Sequence, residues 1–407
     1  MVGALYIHVP FCTSRCAYCD FATSACHDEA LMDSYVDALC LQLRRAAKAG
    51  LLGSVETIYI GGGTPTHLGA RRLNSLVYMV SLSVNLENVT EFTVEANPES
   101  LDGSMVKDLF ALGVSRMSIG AQSFDDTVLR AYGRPHSAAD IDSAVAAVHE
   151  RDMDFSLDLI CGGPGQTLAS WRESVERAIA SGAGHVSIYP LTVEEGTPLA
   201  ARVEAGEWKG PSEDAEAEMM EAAEQILGAA GFKRYEVASY ALPGRESKHN
   251  TAYWTGVEYL GLGAGAASML APETWDACLE AGVFGAVEED GGFADDEGAR
   301  RCARIRVAAS ADARAFCDTV GRPGFELELM DGRETVLEDA MLAFRRSEGL
   351  SAARLAEFSH VVPELASTLQ ALQAEGLVCR MPDGSLVPTE RGWLMGNEIF
   401  GAIWGLA

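Results

Sequence analysis

The sequence predicts an α/β fold: a partial (β/α)6 barrel of the TIM type, followed by a small C-terminal α/β module of winged-helix type. Three observations carry that prediction. Six short apolar runs alternate with amphipathic stretches from residue 4 to about residue 240, and repeated β-α units imply a parallel sheet. The residues able to do chemistry fall just after those runs, where barrels of this kind keep their working groups. From about residue 331 the pattern changes to clustered helices and one hairpin.

The strand-like runs are ALYIHV (4–9), VETIYI (55–60), TEFTVE (90–95), SRMSIG (115–120), DFSLDLI (154–160) and HVSIYP (185–190). Helices are expected between them at 29–49, 101–112, 137–151 and 167–182. A further helix at about 212–230 has an acidic first turn that suits the helix dipole and Gly231 as its C-terminal cap. RYEVASY (234–240) follows as a strand, then the Gly-rich GLGAGAAS (261–268) and an acidic, Gly-rich stretch at 285–300 expected to form an exposed loop. The C-terminal module should contain helices at 333–347, 351–358 and 363–375, a hairpin turning at Pro382-Asp383-Gly384, and a last helix over 389–403. The expected division is therefore a barrel over 1–240, a connecting segment over 241–330 and the small module over 331–407.

The 407 residues are 48% hydrophobic and 22% charged, an ordinary globular balance. A net charge of -28 opposes binding to nucleic acid, whose affinity comes largely from Lys and Arg against phosphates. The C-terminal module holds eleven acidic and six basic residues, so it is read as a packing or partner-docking unit and not as a DNA reader. No run of 18 apolar residues is present, so no membrane span is expected. The chain enters an apolar strand at once, without the flanks of a secretory signal. Its ten cysteines then read as reduced thiols and metal ligands in a cytoplasmic protein.

Cys12, Cys16 and Cys19 stand in HVPFCTSRCAYCDF with the spacing C-x3-C-x2-C. Three thiolates from one loop can hold three irons of a [4Fe-4S] cube and leave the fourth iron open to a small molecule. Structural zinc is the competing reading. It needs four closed ligands, and the fourth would be His8 or Cys26.

This loop, followed by GGGTPT (61–66), resembles the radical S-adenosylmethionine (SAM) superfamily. The resemblance implies that the open iron chelates the methionine part of SAM and that the cluster drives its reductive cleavage. It assigns Gly62, Gly63 and Thr64 to the amino end of SAM and Glu95, in VEANPES, to its ribose or amino group. Gln122 in IGAQSF, Arg134 in GRPH and Asp158 in LDLICGGP match positions lining the same cleft, and Tyr6 and Tyr18 flank the cluster. Taken alone, GGGT is a tight turn, Glu95 a helix cap, and the two tyrosines plain core residues.

A narrower resemblance, spanning almost the whole chain, is to the oxygen-independent coproporphyrinogen III oxidase-like family, whose branches include heme chaperones. The dehydrogenase branch carries a cysteine two positions past the last ligand, where this chain has Phe21, and a longer N-terminal segment. HNTAYW (249–254) resembles the HNxxYW motif of the chaperone branch. It implies heme contact by His249, as axial ligand, with Asn250, Tyr253 and Trp254, and Lys248 placed for a propionate. The bland alternative is a hydrogen-bonded loop histidine beside two core aromatics. Two departures stand out: Ala267 replaces a histidine usual in the Gly-rich stretch, and 285–330 matches poorly. The implied function is heme binding and delivery to apo-hemoproteins such as respiratory enzymes, with an electron donor for the cluster. The alternatives are radical decarboxylation of coproporphyrinogen III and another radical reaction on a tetrapyrrole.

Overall fold

In a computed structural model, described for residues 1–210, 212–285 and 302–407, the six expected strands form the centre of one twelve-stranded sheet. They are β1 (Ala4–Val9), β2 (Thr57–Gly62), β3 (Glu91–Ala96), β4 (Arg116–Gln122), β5 (Asp154–Cys161) and β6 (His185–Pro190). Neighbours in this series pair in parallel and in chain order, as a right-handed succession of β-α crossovers requires.

The strands alternate by face. Leu5, Ile7, Ile58, Ile60, Phe92, Val94, Met117, Ile119, Leu157, Leu159, Val186 and Ile188 join the apolar core beneath the helices. Their neighbours Tyr6, Tyr59, Glu95, Arg116, Ser118, Asp158 and Ser187 face the barrel cavity. Because the side-chain period of a strand is two, the same segments build a greasy outside and a polar inside. Each buried Leu or Ile on the outer face contributes roughly 1.5–3 kcal/mol, which holds the barrel together without filling its bore.

The sheet does not end near residue 240. β7 (Ser239–Ala241) runs antiparallel to β6, and β8 (Tyr259–Leu262) adds in parallel to the free side of β1. Then β9 (Ala267–Leu270), β10 (Arg304–Ala309) and β11 (Phe325–Met330) extend that edge with antiparallel pairings. β1 and β6 are never neighbours, so the barrel stays open between them. The stretch expected as one strand over 234–240 is instead two short pieces, Lys233–Arg234 and Ser239–Ala241, separated by a turn where Glu236 accepts the Ala238 amide. The acidic loop expected at 285–300 lies outside the described residues apart from Gly285.

Past residue 331 a separate apolar core gathers Leu337, Phe344, Leu365, Leu369, Leu372, Ile399 and Ile403. Helices Gly332–Ala343, Ala352–Val361 and Leu365–Ala374 precede the hairpin of β12 (Val378–Arg380) and β13 (Leu386–Pro388). The single last helix expected is broken at Met395 into Glu390–Leu394 and Gly396–Trp404. Arg304 ties this module to the barrel sheet through Glu338 (2.6 Å) and Asp339 (2.8 Å).

Candidate cofactor and heme site

A cavity of about 630 Å³ runs from the cysteine loop into the barrel. Its size is ordinary for a small-molecule site. Cys12, Cys16 and Cys19 border its mouth, and each sulfur faces a donor. Thr64 Oγ1 donates to Cys12 Sγ at 3.6 Å and Arg134 Nη1 to Cys16 Sγ at 3.2 Å, while Thr23 Oγ1 lies 4.0 Å from Cys19 Sγ. Donors aimed at sulfur favour thiolate and help set the potential of a cluster. Burial pushes the Cys12 and Cys19 thiols up, so a bound metal must displace their protons.

Among the described residues, no three His, Cys, Asp or Glu side chains gather tightly enough to hold one metal ion. His8 already uses both ring nitrogens, at Tyr6 Oη (2.9 Å) and the Ala22 carbonyl (3.1 Å). That leaves it unsuited to complete a zinc site. The donor set fits an open [4Fe-4S] cluster: three thiols on one loop, each with a nearby hydroxyl or guanidinium, at the edge of a cavity.

The Gly-rich turn after β2 forms one wall. Gly62 has φ +110°, and a Cβ there would sit 2.4 Å from the His8 ring. At Gly63 a Cβ would lie 2.7 Å from the Phe11 carbonyl and 3.0 Å from Cys12 Sγ. Only glycine lets the backbone pass so close to the cysteine loop. Glu95 faces this turn from the end of β3, where Tyr59 Oη (2.7 Å) and the Gly62 amide (2.9 Å) donate to its two oxygens. Burial, opposed by those two hydrogen bonds, raises its carboxyl to about 7.

Asn97 and Arg134 complete the wall. Asn97 Nδ2 donates to Thr64 at 2.9 Å, and Arg134 Nη2 donates to Asn97 Oδ1 at 2.6 Å and to the Gly120 carbonyl at 2.9 Å. Gln122 sits at an irregularity in the pairing of β4 with β5, with φ 62°. A left-handed non-glycine residue persists where its surroundings fix it, and Gln122 lines the cavity. Tyr18 packs edge-on against Tyr132, with centroids 5.3 Å apart. Gly62, Gly63, Thr64, Glu95, Gln122, Arg134, Asp158, Tyr6 and Tyr18 are thus brought together around one space.

At the other end of the cavity lies the helix Lys248–Trp254. His249 has no exposed surface, and its ring nitrogens meet Thr57 Oγ1 (2.9 Å) and Tyr253 Oη (3.0 Å). The imidazole stacks on Tyr59, centroids 5.2 Å apart, and burial lowers its pKa to about 3. Asn250 and Tyr253 share the lining with His249, whereas Trp254 is not part of it. Trp254 Nε1 donates to Glu236 at 3.2 Å, and Arg345 of the C-terminal module lies over its ring at 5.0 Å. Lys248 turns outward to the Thr90 carbonyl at 3.3 Å.

Several lining residues carried no expectation: Tyr59, Asn97, Arg116, Ser118, His185, Ser187 and Tyr189. The signal was available as strict alternation. In RMSIG, FSLDL and HVSIY every second residue is polar or small within an otherwise apolar strand, marking a barrel whose bore is meant to stay open.

Residues 6–178 match the radical SAM superfamily model. The chain is 32% identical over 408 residues to the heme chaperone HemW of Bacillus subtilis (strain 168), covering 98% of both chains. The chain belongs to the HemW family. A second relative of that name, from Mycobacterium tuberculosis (strain ATCC 25618 / H37Rv), is 35% identical over 98% of this chain and 94% of its own. The chain also matches the fold of coproporphyrinogen III oxidase (HemN) from Escherichia coli, with a TM-score of 0.77 at 19% identity over 99% of this chain and 90% of that one. That likeness concerns the fold alone. Among the described residues no helix is long and apolar enough to cross a membrane.

Proposed function

We propose that this chain binds heme and passes it to apo-hemoproteins, carrying a [4Fe-4S] cluster on Cys12, Cys16 and Cys19 and SAM beside it. The observation that carries this reading is the near full-length relationship to heme chaperones. The donor at each cysteine sulfur and the glycine turn against Cys12 support the cofactor assignment. When bound, the cluster supplies an open iron for the amino and carboxylate groups of SAM and a source of electrons.

The protein residues have distinct tasks. Gly62 and Gly63 give close access to the backbone, and Glu95 offers an oxygen beside them. Arg134 links Cys16 to Asn97, and so couples the cysteine loop to the wall of the SAM space. His249 reaches heme iron through Nε2 only by giving up Tyr253, so heme binding by this residue entails moving that hydroxyl. Acceptor proteins, among them respiratory enzymes, an electron donor and a cytoplasmic location belong to the same proposal.

Coproporphyrinogen dehydrogenation is the less supported reading. Phe21, 66% exposed at the cavity mouth, occupies the position of that branch's further cysteine. An anaerobic heme titration of cluster-reconstituted protein, followed at the Soret band, tests the proposal. Saturable binding is expected. Its absence, together with formation of protoporphyrinogen IX from coproporphyrinogen III and SAM, would replace the chaperone reading with the enzyme.

A further inference from the structure

Arg116 opens β4 and is 7% exposed, yet no side-chain hydrogen bond or ion pair joins its guanidinium to any described residue, and it lines the cavity. Its guanidinium borders the open cavity, and its charge favours the ionised forms of Glu95 and Asp158 without hydrogen-bonding to either, so its own donors stay available to a ligand. The nearby carboxylates already have other donors. Glu95 is held by Tyr59 and Gly62, and Ser118 Oγ donates to Asp158 at 3.2 Å.

His185, on β6, shows a second vacancy of the same sign. It is 2% exposed, lines the same cavity, and its Nδ1 has no hydrogen-bond partner. The Ser247 amide donates to Tyr235 Oη at 3.2 Å, and we assign the Tyr235 proton to His185 Nε2, 2.9 Å away. Nε2 is then the acceptor and Nδ1 carries the proton. Burial first, and the Arg116 charge second, hold the ring well below its ordinary pKa, so it is neutral and its Nδ1–H is a donor at physiological pH. In the sheet, Ser118 (two residues after Arg116) and His185 both align with Ser156 of β5, which sets Arg116 and His185 on nearby rungs of β4 and β6.

Two unpaired donors, one charged, therefore face the same polar bore, away from the cysteine loop. Arg116 and Gln122 stand at opposite ends of β4. At about 3.3 Å per residue their backbones are roughly 20 Å apart, whereas Glu95 on the glycine wall pairs with Ser118, two residues from Arg116, so the carboxylate of SAM is the competing occupant. We propose that Arg116 and His185 form a carboxylate seat inside the barrel, and that its occupant is a propionate of the bound tetrapyrrole. A planar guanidinium suits a carboxylate in two-point contact, and propionates are the only anionic arms of heme. This assignment rests on the heme-binding reading.

The test compares heme with heme dimethyl ester, whose propionates are uncharged, on cluster-reconstituted wild type, Arg116→Gln and Arg116→Lys, followed at the Soret band. Wild type should prefer heme over the diester by tenfold or more, as expected for a lost charge-assisted contact (about 1.5–3 kcal/mol). Arg116→Gln should weaken heme binding to the level of the diester and abolish the preference, while Arg116→Lys restores part of it. His185→Phe should reduce the preference by a smaller factor. Cluster absorbance in each variant confirms folding. SAM affinity, measured by equilibrium dialysis, should not change. If wild type binds heme and diester equally and Arg116→Gln binds as wild type, the seat is wrong while the heme reading stands. If Arg116→Gln loses SAM and keeps heme, the seat belongs to the carboxylate of SAM and the propionate assignment is overturned. No saturable heme binding in wild type would remove both.

Discussion

The two ends of the barrel cavity are built on opposite principles. At the cysteine end, donors are directed at sulfurs, and glycines bring the chain within contact distance of the loop. At the helix end, His249 is sealed, stacked and hydrogen-bonded at both nitrogens. One end is prepared for a ligand that must arrive; the histidine at the other already has both its partners. The lesson is that a shared family motif and a shared cavity do not by themselves make residues equivalent. HNTAYW supplies the floor of the bore before it supplies anything to heme, and Trp254 belongs to the contact with the C-terminal module.

That contrast can be tested in order of expected effect. Cys12→Ala, Cys16→Ala or Cys19→Ala should each abolish the cluster, read as loss of iron and visible absorbance after anaerobic reconstitution; retention of both would place the ligands elsewhere. Gly62→Ala combines a positive φ with a collision at His8. It should cost about 2 kcal/mol or more in chemical denaturation and impair reconstitution. His249→Ala strips partners from Thr57 and Tyr253, and should destabilise the fold by about 2–3 kcal/mol without loss of cluster absorbance. If stability is unchanged, the floor is not held by this histidine.

Glu95 gives a pH signature. Its carboxyl is raised from 4.5 to about 7 in the folded chain, so between these values the folded state holds more protons than the unfolded one. Stability should therefore be greater at the acid side of this window and fall as pH rises through it. Glu95→Gln should flatten the profile of denaturation midpoint against pH between about 4.5 and 7. An unchanged slope would mean that another group is responsible. The smallest effect is expected of Tyr253→Phe, which frees His249 Nε2. If that nitrogen is the axial ligand, heme affinity should hold or rise by a few-fold, and a clear fall would show that Tyr253 itself makes the contact.

Much of this was legible in the chain. β1 and β6 have the expected bounds, and the strand expected over 55–60 is displaced only to 57–62, because its pairing continues into the glycines. Local periodicity suffices for such elements, since each β-α unit packs against its neighbours in sequence. Long-range pairing is another matter. β8 joins β1 across some 250 residues, and nothing in YLGL says which strand it will meet. The break within RYEVASY was hidden because its alternation is that of a strand, while Glu236 bonds back to its own turn. The cysteines and the glycine turn were visible through spacing. Arg116 and His185 were not singled out, because a polar residue in a strand becomes informative only when the bore it enters is known.

The missing pairing between β1 and β6 has a mechanical side. In a closed barrel, strand number and stagger fix the diameter, and changing it means breaking a ladder of hydrogen bonds. Here no ladder crosses the gap. The width of the bore is left to the side chains and loops that border it, such as Phe21, Thr192 and Glu194, and to the helix beneath. Substitutions in these borders can retune which shapes are admitted while every rung of the sheet stays intact, so selectivity and structural integrity are carried by separate parts of the chain.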